Sequence, residues 1–214
     1  MKKISPSILD VKDNQIDYVD TLIKWGVSNV HYDVMDGEFV PNTALSFELI
    51  KQIKDKCLVH TMDIHLMVKD IKKYYEMYKN IGDILTFHFE ALNKENMNWL
   101  ILQAKNDNVK IGLALNPNTN IDEVKDHFKH FALILVMSVF PGKGGQSFIE
   151  DSFAKIQAIN KYKKENNLQF ILQVDGGIKD HNIKSCFDAG INLAVVGSYL
   201  VNNFSKETVD KLLS

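Results

Sequence analysis

The chain has 214 residues, 45% of them hydrophobic and 24% charged, with a formal net charge of −2. That length can bury a full core, so one catalytic domain over residues 1–214 is expected, and the near-neutral balance excludes the basic face that a nucleic-acid partner requires. All 25 basic residues are lysine, so an anion site must use backbone N–H groups, hydroxyls or lysine rather than the guanidinium fork.

Two cysteines, Cys57 and Cys186, make no disulfide framework and fit a reducing cytoplasm. The start, Met1-Lys2-Lys3, is not followed by the apolar stretch of a signal peptide, and no run approaches the length of a membrane span.

The first apolar run, 4–9, reads as a strand carrying Ser7, with Pro6 holding it extended. Ile16, Val19, Leu22 and Ile23 then form a helical stripe closed by Gly26. The second strand, 27–34, puts His31 and Asp33 on one face, since residues i and i+2 of a strand point the same way. Met35, the turn at Asp36-Gly37, and Asn42 follow. The third strand, 58–67, repeats the spacing with Asp63 and His65 and ends at Met67. A helix closed by Gly82 leads to strand 84–89, with His88 and Glu90 at its end, and then to strand 109–115.

Strand 131–139 has no polar alternation over Phe131-Ala132-Leu133-Ile134-Leu135-Val136-Met137, as expected for a strand covered on both faces of a parallel sheet. The loop Pro141-Gly142-Lys143-Gly144-Gly145-Gln146 comes next. Phe153, Ile156 and Ile159 mark another helix. Strand 169–174 leads into Asp175-Gly176-Gly177, a helix closes at Gly190, and strand 193–196 ends at Gly197-Ser198.

Eight strands alternating with helices predict an α/β fold, a single (β/α)₈ TIM barrel of the phosphate-binding type. The alternative is an open doubly wound sheet. The barrel is preferred because the chemical motifs follow at least four strands, and a closed ring converges those ends on one mouth.

At that mouth, His31, Asp33, His65 and Asp175 form a candidate set of ligands for one divalent metal ion, Zn²⁺, Fe²⁺, Mn²⁺ or Co²⁺. Glycines let backbone N–H groups approach an anion closely. Three glycine-bearing loops on one rim therefore predict a phosphate site, with Ser198 opening a short extra helix. Met35, Met67 and Met137 at strand ends suggest an apolar wall beside the reacting atoms. Ser7 is a candidate substrate hydrogen-bonder. Asn42 and Glu90 read as loop braces, Asp36 as a loop cap, Lys143 as either a point charge or a solvated side chain. His60, His127, His130 and His181 read as surface or hydrogen-bonded core residues.

Taken together, Ser5-Pro6-Ser7-Ile8-Leu9, His31 through Gly37 with Phe39-Val40-Pro41-Asn42, Asp63-Ile64-His65-Leu66-Met67, His88-Phe89-Glu90, Met137-Ser138-Val139-Phe140-Pro141-Gly142, Gly144-Gly145-Gln146-Ser147-Phe148, Val174-Asp175-Gly176-Gly177-Ile178 and Gly197-Ser198 closely resemble the ribulose-phosphate 3-epimerase family. The resemblance implies a (β/α)₈ barrel and reversible inversion at C3 of a ketopentose 5-phosphate in the pentose phosphate pathway. It implies His31, Asp33, His65 and Asp175 as metal ligands, with the two aspartates as the acid–base pair. Substrate contacts would come from Ser7, His65, Gly142, Gly144, Gly145, Gly176, Gly177, Gly197 and Ser198. A homo-oligomer, dimer or hexamer, is implied by analogy.

The chemistry accounts for these residues. Removing a proton alpha to a carbonyl makes an enediolate, and inversion needs a base on one face and an acid on the other. Asp33 is assigned as base and Asp175 as acid in the ribulose-to-xylulose direction, exchanging labels in reverse.

The sequence departs from the family pattern at Lys143, where an aromatic residue is usual, at Ala44-Leu45-Ser46, where a glycine is common, and at Lys69-Asp70, which lacks a proline. Rival readings are an epimerase for a hexulose 6-phosphate such as allulose 6-phosphate, a lyase or decarboxylase on the same barrel, and a silent sugar-phosphate-binding protein. The lyase relatives carry Asp-x-Lys-x-x-Asp. Here Met35 occupies the lysine position of Asp33-Val34-Met35-Asp36, which argues against that chemistry. Intact acids and histidines argue against the silent protein.

Overall fold

A computed structural model describes residues 3–213; the Met1-Lys2 start lies outside them. In chain order the first elements are β1 (Lys3–Pro6), α1 (Gln15–Lys24), β2 (Asn29–Asp36), β3 (Thr43–Ala44) and α2 (Phe47–Lys56). The middle of the chain forms β4 (Thr61–Met67), α3 (Ile71–Tyr78), β5 (Ile84–His88), α4 (Lys94–Asp107) and β6 (Lys110–Leu115). Then come β7 (Leu133–Met137), α5 (Ser152–Glu165), β8 (Ile171–Asp175), α6 (Ile183–Ala189), β9 (Leu193–Val196), α7 (Ser198–Asn202) and α8 (Lys206–Leu213).

The strands run in the order β1-β9-β8-β7-β6-β5-β4-β2-β3. All neighbours are parallel except β3, which pairs antiparallel with the end of β2. A parallel bridge between Ser7 and His31, with the Ile8 N–H donating to the His31 carbonyl at 3.4 Å, joins β1 to β2. That contact curls the sheet into the expected barrel.

Local chemistry sets the helices. Ser46, Asp70 and Asn93 cap α2, α3 and α4 by accepting from the backbone N–H groups of Leu49, Lys73 and Asn96, which satisfies donors left open at a helix start. α1 buries Val19 and Leu22 on the predicted stripe, and α5 buries Ile156 and Ile159. One crossover differs from expectation. After β6 the chain makes two 3₁₀ turns, Ile121–Glu123 and Lys125–His130, instead of an α-helix. The turn-forming run Asn116-Pro117-Asn118-Thr119-Asn120 precedes them, and Val124 and Phe128 still bury their side chains against the barrel.

Gly26 and Gly190 end α1 and α6 in left-handed backbone. Gly82 does not cap α3. A Cβ there would lie 2.7 Å from Leu85 Cδ2 and 2.8 Å from Ile64 Cδ1, so close packing explains it. The expected strand 58–67 begins only at Thr61; Leu58 and Val59 are 50% and 99% exposed in the preceding turn. β2 runs past Asp33 to Asp36 because β3 pairs with its end.

The inside of the barrel is divided. Ile84, Ala114, Leu133, Leu135 and Met137, from β5 to β7, pack with Ile171 into an apolar half. Ser5 of β1, Ser7 just past it, and His31, Asp33, Asp63 and His65 of β2 and β4, joined by Thr86 and His88 of β5 and Gln173 of β8, form the buried polar part. A second, larger apolar layer separates strands from helices.

Candidate active site

Three strands supply the cluster. In the register of β2 on β4, His31 lies beside Asp63 and Asp33 beside His65, so both i, i+2 pairs face inward together. Asp175 is the last residue of β8. One ligand atom from each of His31, Asp33, His65 and Asp175 falls within 4.8 Å of all the others. His31 Nε2 is 3.4 Å from Asp33 Oδ1 and 3.8 Å from Asp175 Oδ2. His65 Nδ1 is 3.2 Å from Asp33 Oδ1 and 3.9 Å from Asp175 Oδ2. Two imidazole nitrogens and two carboxylates converging this closely suit a divalent transition metal.

Further contacts hold the cluster. The Ser7 hydroxyl donates to Asp33 Oδ2 at 2.6 Å. His31 Nδ1 meets Asp63 Oδ2 at 2.7 Å, and Gln173 Nε2 donates to the same oxygen at 2.5 Å. His65 Nε2 meets His88 Nε2 at 2.8 Å, and His88 Nδ1 meets Glu90 Oε2 at 3.1 Å.

The electrostatics separate the two aspartates. Burial opposes ionisation of Asp33, but the His31 charge and hydrogen bonds from His31 and His65 hold its carboxyl well below the usual range. Burial pushes Asp175 up to about 7, reinforced by the Asp33 charge. Burial also disfavours the His31 cation, yet Asp63 and Asp33 outweigh it and raise its pKa well above the ordinary value. His65 is lowered by burial, and burial takes His88 down to about 4 against the pull of Glu90.

Above the cluster opens a cleft. Its walls include Ser7, Asp33, Asp175 and all three predicted methionines, Met35, Met67 and Met137. Its rim includes Gly142, Gly144, Gly145, Gly176, Gly177, Gly197 and Ser198. His31 and His65 lie beneath, both 0% exposed. The candidate catalytic, metal-ligating, substrate-binding and apolar-wall residues named from the sequence therefore all lie on this cleft or in the cluster beneath it. Lys143 lines the cleft with an exposed side chain. Asn42 Nδ2 donates to the Gly142 carbonyl at 2.7 Å, bracing the loop. Asp36 takes the N–H groups of Glu38, Phe39 and Lys69, as a loop cap would.

Sequence reasoning missed Asp10 and Lys179, which also line the cleft, and the partners of Asp63. Gln173 carried a readable signal: it is polar within an apolar strand and sits two residues before Asp175, hence on the same face.

Fold and site together define a (β/α)₈-barrel protein with a four-residue His/Asp cluster that could hold a metal ion, under a glycine-rimmed cleft. A profile of the Ribulose-phosphate 3 epimerase family matches residues 3–201. The ribulose-phosphate 3-epimerase of Synechocystis sp. is 34% identical over 93% of this chain and 87% of its own. Those of Bacillus subtilis and Escherichia coli K12 are 34% and 32% identical, over 92% and 99% of this chain and 91% and 94% of theirs. The chain belongs to the ribulose-phosphate 3-epimerase family, a family of isomerases. Among solved structures, a mutant tryptophan synthase alpha-subunit from Pyrococcus furiosus matches 99% of this chain and 97% of its own with a TM-score of 0.71, at 13% identity, which bears on the fold alone.

Proposed function

We propose that the protein interconverts D-ribulose 5-phosphate and D-xylulose 5-phosphate by inversion at C3, with the chain acting as one catalytic domain. The observation that carries the mechanism is the convergence of two carboxyl groups from different strands, Asp33 and Asp175, with His31 and His65 in one cluster at the cleft. Asp33, from β2, is poised to take the C3 proton. Asp175, from β8, delivers a proton to the other face. Ser7 steadies Asp33 through its 2.6 Å hydrogen bond.

The residues present fit a divalent cation held by His31, Asp33, His65 and Asp175. When bound, such an ion supplies positive charge beside the oxygens on which negative charge develops. The mixed nitrogen and oxygen donors support Zn²⁺, Fe²⁺, Mn²⁺ or Co²⁺. Met35, Met67 and Met137 keep water from the reacting carbon. The glycine-rimmed loops after β7, β8 and β9, with Ser198, are the seat for the substrate phosphate, because they bring main chain close to one end of the cleft. Two free thiols support a cytoplasmic setting, and family resemblance supports a dimer or hexamer.

The test follows substrate hydrogen in D₂O. Metal-loaded wild-type protein should incorporate deuterium at C3 as it epimerises. Asp175→Asn should epimerise about 10²–10⁴-fold more slowly while Asp33 still exchanges the C3 hydrogen of ribulose 5-phosphate. Undiminished epimerisation by this variant, or no exchange by the wild type, would refute the assignment.

A further inference from the structure

The two candidate imidazole ligands are held by opposite nitrogens. His31 turns Nδ1 away from the cluster toward Asp63 and presents Nε2. His65 turns Nε2 away toward His88 and presents Nδ1. A nitrogen can coordinate only through its lone pair, so the proton of each ring must sit on the outward nitrogen.

We propose that two buried hydrogen-bonded arms, Gln173–Asp63–His31 and Glu90–His88–His65, fix those protons and so set the tautomers of the metal-binding histidines. The inference rests on the metal-centre reading above. In the first arm, the Asp63 carboxylate is acceptor-only when ionised, so His31 Nδ1 carries the hydrogen at 2.7 Å and Nε2 is left as the lone pair. Gln173 donates to the same Asp63 oxygen from the other side of the barrel.

The second arm works in two steps. His65 Nε2 and His88 Nε2 are 2.8 Å apart, and of two imidazole nitrogens one must donate and one accept. Glu90 decides which. Its Oε2 lies 3.1 Å from His88 Nδ1, which places the His88 hydrogen on Nδ1 and makes His88 Nε2 the acceptor. His65 then donates from Nε2, and its Nδ1 lone pair faces the cluster. Glu90 is itself anchored by the Asn116 N–H at 2.9 Å and by the Thr119 hydroxyl.

The arm has a competitor. Asp33 Oδ1 is 3.2 Å from His65 Nδ1, and a hydrogen on that nitrogen would bond well to Asp33 and remove His65 as a ligand. His88 therefore shifts an equilibrium that Asp33 alone would tip the other way. All four of His31, His65, His88 and Gln173 are 0% exposed, and Asp63 is 1% exposed, so water does not substitute for the missing partner. Asp63, Gln173, His88 and Glu90 are positioning residues; they act through the histidines. Partners of this kind are typically worth about 10–100-fold in metal affinity.

Two measurements test this. In the Zn²⁺-loaded protein with ¹⁵N-labelled histidine, long-range ¹H–¹⁵N spectra should show hydrogens on His31 Nδ1, His65 Nε2 and His88 Nδ1. Co²⁺ affinity, by competition with a chromogenic chelator, should fall about 10–100-fold in His88→Leu, which fills the space without an acceptor. It should stay within about threefold of wild type in His88→Gln, whose amide oxygen can still accept from His65. Thermal midpoints of the two metal-free variants separate lost packing from lost orientation. A hydrogen on His65 Nδ1, or unchanged Co²⁺ affinity in His88→Leu, overturns the inference alone. Wild-type protein that binds no divalent cation overturns the metal-centre reading with it. Should neither variant fold, the wild-type spectrum still decides through His88, whose hydrogen the ion does not dictate: a hydrogen on His88 Nε2 rather than Nδ1 overturns the inference.

Discussion

Gly177→Ala is a sharp test of how the cleft rim is built. Gly177 has φ +65°, a left-handed conformation that costs a residue bearing a Cβ roughly 1–2 kcal/mol. The added methyl would lie 2.9 Å from Phe148 Cα and 3.0 Å from the Gln146 carbonyl oxygen, and closer still to the Phe148 nitrogen. These are main-chain atoms, so no side-chain rotation relieves the overlap and the segment around residues 146–148 must shift. Overpacking of this sort costs about 1–3 kcal/mol, for a total of about 2–5 kcal/mol. In a chain of this size about 1 kcal/mol moves the thermal midpoint by about 2–4 °C, so a fall of roughly 4–20 °C is expected. Displacing a substrate-positioning segment by ~1 Å can also cost about 10²-fold in turnover. The control is Gly145→Ala: φ is +72°, but a Cβ there meets nothing within 4 Å, so only the backbone strain remains. Calorimetry of both variants, with KM and kcat for ribulose 5-phosphate, decides the matter. If Gly177→Ala melts and turns over like Gly145→Ala, the claim of a closely packed rim is wrong.

Three other outcomes are expected. Exhaustive chelation should abolish activity, with recovery on adding Mn²⁺, Zn²⁺, Co²⁺ or Fe²⁺; full activity in protein shown to be metal-free would remove the ion from the mechanism. Asn42→Ala, which deletes the bond to the Gly142 carbonyl, gives up about 0.5–1.5 kcal/mol and should lower the thermal midpoint by about 1–6 °C and raise KM several-fold with kcat nearly unchanged; a fall in kcat alone would contradict a loop-bracing role. His60 accepts from the Tyr32 hydroxyl at 2.6 Å and donates to the Leu58 carbonyl at 2.8 Å, and burial lowers its pKa below 6.5. The unfolded chain therefore binds the proton first as pH falls, and stability declines below that value. Denaturant midpoints between about pH 8 and about pH 5 should drop more steeply in wild type than in His60→Gln, and parallel curves would refute the linkage.

What could be read from the sequence was local. His31 with Asp33, and Asp63 with His65, share faces because strand geometry has a period of two, and that holds in any sheet. The uninterrupted apolar run before Met137 likewise follows from being covered on both sides. Contacts across the barrel could not be read that way. Gln173 on β8 reaches Asp63 on β4, and Ser7, just past β1, reaches Asp33 on β2; both depend on how far each strand is staggered around the ring, which no short window encodes. Leu58 and Val59 misled because their apolar, branched character matches a strand, whereas pairing begins only when the Thr61 N–H meets the Ser28 carbonyl at 2.8 Å. The missing helix after β6 was foreshadowed by asparagine and proline, but its buried anchors, Val124 and Phe128, needed the neighbouring surface to become visible.

The last stave of this ring to be fastened is also its workbench. Lys3 pairs with Leu193, so the seam between β1 and β9 can close only after residue 193 has emerged from the ribosome. A nascent chain halted before residue 193 should hold both histidines and Asp33 yet lack the seam that aligns them. The ring thus closes in a late step, tied to the meeting of β1 and β9 rather than to any local maturation.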